Sequence, residues 1–273
     1  MENLTKKNDL SNYISEDNIV RNRELVSQLR GKVLTHEVFL HPILSEIENI
    51  YDIPLSTACS IHCDYRHAIV QVFTDALLAA SLASHQLETL YKLPAGAKMI
   101  PRFLLAPNIL DEFGLKVHNS SLVGSVNYAH YPLFEEVMNI FSENEQETST
   151  ISQELRAFLE HNYNNYANII ALLAVVELQV ICFTPVLEKI IRKYSPLEQL
   201  NYYSVHGSSS DNNKSACDDE HEDALWDSLA LIIDQIDINE LIKITNTYLN
   251  LWNDFWFKQL SNLSFSKQIK FIA

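Results

Sequence analysis

The chain has 273 residues, 47% of them apolar, with 35 acidic side chains against 20 basic ones and a formal charge of −15. That supplies a sizeable core and excludes global disorder. The acidic balance argues against a nucleic-acid partner and for a soluble, cytoplasmic protein. Five glycines and eight prolines are too few for the turns of an all-β fold.

The first residues, to about 18, carry mixed charge without an apolar run, and read as a polar, flexible lead rather than a signal peptide. Residues 19–273 show no repeat and no second composition regime, so a single helical domain is expected there. From Asp17 to His36 apolar residues recur at helical spacing, with Asp17 or Asn18 as the N-cap. Phe39 to Tyr51 continues in the same period. Pro54 followed by Ser56 and Thr57 starts a long helix to Tyr91. KLPAGA at 92–97 breaks it, and the next helix covers Lys98 to Phe113, stopped by Gly114.

Residues 115–126 are polar and broken and read as a loop. A helix then runs from Tyr128 to about Phe141. SENEQETST is a linker that ends in a Ser/Thr cap before a helix from Ile151 to Tyr163. Ala167 to Tyr194 is the most apolar helix, with Pro185 as a kink. Its greasiest part, Ile169 to Phe183, is too short to span a bilayer and contains Glu177, so a buried helix and no membrane partner are expected. Ser195-Pro196 opens another helix, and Glu222 to Thr247 and Tyr248 to Phe265 complete the set. The pattern is all-α, a helical bundle.

The four cysteines, Cys59, Cys63, Cys182 and Cys217, show no metal or disulfide framework, and Cys59 and Cys63 read as reduced core thiols. Histidine and carboxylate residues are more telling, because they are the usual protein ligands of iron, manganese and zinc. Glu177 sits mid-way along an apolar helix, where a buried carboxylate needs either a cation or an ion pair; Arg66, Arg102 and Arg192 are the candidates for the pair. Asp218 and His221 are three apart and share a helix face. His206 lies twelve residues before Asp218, so the Gly/Ser/Asn-rich stretch 207–217 must loop out for it to join them. The bland reading of His206 is a solvated loop histidine. Glu112 ends a helix with an apolar face, its neighbour Asp111 reads as solvated, and His118 and His130 follow it as rival partners.

The ordered stretches LDEFG (110–114), HYPLFEEV (130–137), VVELQVI (175–181), YYSVH (202–206) and DDEHEDAL (218–225) resemble the haem-oxygenase-like diiron oxidases, in particular the CADD-like proteins, which are related to the TenA/PqqC-type fold. The resemblance implies that Glu112, His130, Glu177, His206, Asp218 and His221 hold two non-haem iron ions, with His118 as rival to His130. It also implies O2 as co-substrate and oxidation of a small amino-acid-like or fatty-acid-like molecule. This sequence departs in a longer segment between Glu112 and HYPLF and in the split of the His-x3-Asp-x2-His motif. A homodimer is compatible with it. Two other readings keep the helices: a metal-free TenA-like hydrolase or small-molecule binder, using Cys182 or Cys217 as the thiol, and a helical interaction protein docking through 142–150 and 207–217. A haem oxygenase is disfavoured, since only His36 and His41 could serve as a proximal ligand.

Overall fold

The computed structural model describes residues 13–50, 52–118, 121–141, 147–195, 201–205 and 217–269. Helix α1 spans Glu16–Leu34, and its N-cap is Ser15, whose hydroxyl accepts from Asn18 N–H, rather than Asp17 or Asn18. Asp17 instead falls in the first turn with Glu16, where negative charge suits the helix dipole. The expected lead of residues 1–18 therefore ends earlier, with residues 1–12 outside the described ones. Single turns follow at Glu37–Leu40, Ile43–Glu46 and Ile47–Asn49, where one continuous helical period was expected.

The long helix expected from Pro54 to Tyr91 is interrupted. Helix α2, Leu55–Tyr65, widens into a π-helical turn over Arg66–Val70, with Gln71 N–H bonded to Arg66 C=O, and α3 resumes at Phe73–Ala83. Helix α4 is Met99–Glu112. The expected loop after it is a β-hairpin: β1, Leu115–His118, pairs antiparallel with β2, Ser121–Gly124, from Leu115 opposite Gly124 to His118 opposite Ser121.

Helix α5 is His130–Met138, and α6 is Thr150–His161, capped by Ser149 accepting from Ser152 N–H. Helix α7 is Tyr166–Ile191, with Pro185 inside it. At 26 residues it is long and apolar enough to cross a membrane, which corrects the shorter estimate, but 83% of its most apolar window is buried in the bundle. Helix α8 is Asn201–Val205, α9 is Cys217–Ala230 and α10 is Ile238–Ile269, unbroken at Thr247. Residues 196–200, where a helix start was expected, lie outside the described residues.

The architecture is all-α with one small hairpin. Helix α7 is the axis, packed against α9, α10 and α3, while α9 also packs on α4 and α1. One contiguous apolar core runs from Ile19 on α1 to Leu263 on α10. It includes Trp252 and Trp256, with Phe183 stacked on Trp256 at 4.4 Å.

Candidate metal centre

Gly114 sets the geometry on one side of the site. It ends α4 in the left-handed region at φ 70°, and a Cβ there would lie 2.4 Å from Ala129 N and 2.5 Å from Ser125 O. Only a glycine allows the chain entering α5 to pass that close to the end of α4. Gly124 closes the hairpin against the same point, with Gly114 C=O accepting from Ser125 N–H. The additional residues after Glu112 thus fold back on themselves as a hairpin, and the chain re-enters beside Glu112.

The last residue of α4 and the first of α5 therefore meet. Glu112 Oε1 lies 2.6 Å from His130 Nδ1, and both side chains are buried. Thr74 on α3 donates to Glu112 Oε2 at 3.2 Å. His130 Nε2 is 3.9 Å from Asp111 Oδ2, and Asp111 is 3.8 Å from Lys116. Asp111, read from the sequence as solvated, instead stands behind the histidine. The rival, His118, is at the far end of β1 and is exposed.

Glu177, only 2% exposed, occupies the middle of α7 and accepts from Asn108 Nδ2 at 2.7 Å. Asn108 Oδ1 is buried without a hydrogen-bond partner. Of the three arginines considered for Glu177, Arg66 bonds Glu135 at 3.1 Å, Arg102 bonds Ser81 C=O and Ser84, and Arg192 bonds Glu188 at 2.5 Å. His221 is buried on α9.

Glu112, His130, Glu177 and His221 all line one cavity, together with Tyr65, Ile69, Val70, Phe73, Val180 and Tyr202. Its volume is about 20 Å³, room for a guest the size of a water or an ion. Four helices supply the four polar residues, and the π-helical turn and α3 supply most of the apolar wall. Wide turns of this kind recur where a helix must re-aim side chains at a site.

Of the expected ligands, His206 lies outside the described residues, as does the side chain of Asp218, although α9 begins at Cys217, where a new helix was required. Among the described residues no three His, Cys, Asp or Glu side chains form a closed metal-binding group. The donor types nevertheless suit a metal ion. Carboxylates and imidazoles in an apolar interior suit iron or manganese.

The other readings find less here. Burial pushes the Cys182 thiol pKa up, and Cys182 is not on the cavity wall, so it is a poor nucleophile. The side chain of Cys217 lies outside the described residues, as do most of the stretches named as docking elements. Cys59 and Cys63 are buried, with sulfurs 3.9 Å apart. His36 and His41 each use Nδ1 to accept a nearby backbone N–H, from Val38 and Ile43.

Asn108, Thr74, Tyr65 and Tyr202 were not picked out from the sequence as site residues. Asn108 carried a signal, a polar residue one turn before Glu112 on an apolar face, and Tyr202 fell within the YYSVH stretch; Thr74 and Tyr65 carried none. No protein-family model matches the chain, and a comparison with curated proteins gives no match either.

Proposed function

We propose that the chain is a non-haem diiron oxidase or oxygenase that uses O2 to oxidise a small organic molecule. The observation that carries this reading is the convergence of Glu112, His130, Glu177 and His221, from four helices, on one cavity in an apolar core. Two carboxylates and two imidazoles gathered in an apolar interior are the kind of donor set that suits a metal cation. Glu112, His130, Glu177 and His221 would hold the ions, with Asp218 and His206 completing the set. When bound, the metal pair would supply the electrons and Lewis acidity for O2 chemistry.

The chain's own residues do the rest. Asn108 and Thr74 orient the two carboxylates by donating to one oxygen of each. Asp111 stands beyond the outer nitrogen of His130, which favours Nδ1 as the inward-facing donor. Ile69, Val70, Phe73 and Val180 keep bulk water out, which strengthens every electrostatic contact inside.

The test is anaerobic loading with Fe(II), elemental analysis and O2 uptake. Binding of about two equivalents per chain, followed by O2 consumption, is expected for a metal pair. A single stoichiometric Zn(II), or no metal at all, overturns the proposal.

A further inference from the structure

Beside the cavity lies a polar pair that the proposed chemistry does not use. His62 on α2 and Tyr203 on α8 are buried and joined by a 2.8 Å hydrogen bond between Nε2 and the phenol oxygen, across 141 residues of chain. The other ring nitrogen, Nδ1, is 2.8 Å from Ala58 C=O, one turn back on α2. A carbonyl only accepts, so Nδ1 carries the proton, Nε2 is the acceptor and Tyr203 O–H donates. Burial disfavours the imidazolium and the phenolate alike, which keeps both partners neutral and the bond intact.

Helix α8 has five residues, far too few to hold its shape by its own hydrogen bonds. Its fixed place must come from outside. Tyr202, adjacent to Tyr203, meets Phe134 edge-on at 4.8 Å and lines the cavity. Phe134 is one turn after His130 on α5 and also lies 6.1 Å from the His62 ring. The pair, the cavity wall and one expected ligand are therefore a single packed group.

We infer that His62 and Tyr203 are positioning residues: their hydrogen bond seats α8, makes Tyr202 a wall of the cavity and sets where the chain leaves α8 toward His206. Only the last clause rests on the metal-site reading. The test compares wild-type protein with Tyr203→Phe, which removes the donor and keeps the ring. Hydrogen–deuterium exchange over residues 201–205 is read beside anaerobic Fe(II) titration. In Tyr203→Phe, exchange at 201–205 is expected to rise by about tenfold while α2 and α7 keep their protection, as the loss of one buried hydrogen bond allows. Fe(II) affinity is expected to fall by about tenfold, as for an orienting group behind a ligand.

Unchanged exchange at 201–205, or an equal rise through α2 and α7, overturns the anchor. Faster exchange with Fe(II) affinity intact overturns the link to His206. If wild-type protein takes up no Fe(II), the metal-site reading fails while the exchange arm still decides the anchor. Should Tyr203→Phe not fold, the 15N resonances of His62 in wild-type protein decide: the Nδ1–H tautomer supports the anchor, and the Nε2–H tautomer overturns it.

Discussion

Glu177 and Glu188 lie on one helix, three turns apart on the same face, and are 2% and 3% exposed. Their surroundings differ. Glu188 receives Arg192 one turn on, at 2.5 and 3.0 Å, and that guanidinium is half in water. Glu177 receives an amide from Asn108 and faces a cavity shared with a second carboxylate and two imidazoles. A guanidinium neutralises a carboxylate, whereas an amide only orients one. Burial alone therefore does not mark a metal ligand; the partners of the buried acid do.

The strongest way to break this contrast is Glu177→Ala, which should reduce iron from about two per chain to background in elemental analysis, with helical circular dichroism retained. Iron retained at the wild-type level would make the two glutamates equivalent. Asn108→Leu should weaken Fe(II) binding by about 10- to 100-fold in a titration, because Glu177 loses its orienting donor.

The next effect concerns His62, whose partner Tyr203 also feels the charge of Glu188. Burial lowers the His62 pKa from 6.5 to about 4, so the unfolded chain takes up a proton before the native state does. Stability from this group is thus greatest above pH 6.5 and falls as the pH drops toward 4, by about 2 kcal/mol at pH 5. Denaturant titrations of wild-type protein at pH 5 and pH 7 measure it. Glu188→Gln should cost about 1 kcal/mol or less in thermal melts, because Arg192 remains solvated, and should leave iron uptake unchanged. His118→Ala, on the exposed end of the hairpin, should stay within about 0.5 kcal/mol of wild type and bind iron normally.

Most of the helices were legible because their apolar residues recur at 3.6-residue spacing and their ends carry Ser, Pro and Gly signals. Gly114 and the Ser149 cap are examples. The hairpin was not legible: its second strand is exposed along its whole length, so no alternation of apolar and polar residues announces it. The break after Tyr65 was equally silent, since a π-helical turn keeps buried residues buried while changing only the hydrogen-bond step. At the candidate site, Glu112 and Glu177 stood out as acids in apolar helices. That His130 rather than His118 lies beside Glu112 was visible only in three dimensions, because the hairpin that separates them in sequence carries one away and returns the other.

The wide turn at Arg66–Val70 works as an angular offset between two halves of what would otherwise be one rod. An α-helical turn closes from residue i to i+4, whereas this one closes from Arg66 to Gln71, so it takes up one residue that a continuous α-ladder could not hold. Immediately past it, α3 presents Thr74 to Glu112 and Phe73 to the cavity wall. The surplus residue is accommodated beside the site, where the backbone ladder is loosest.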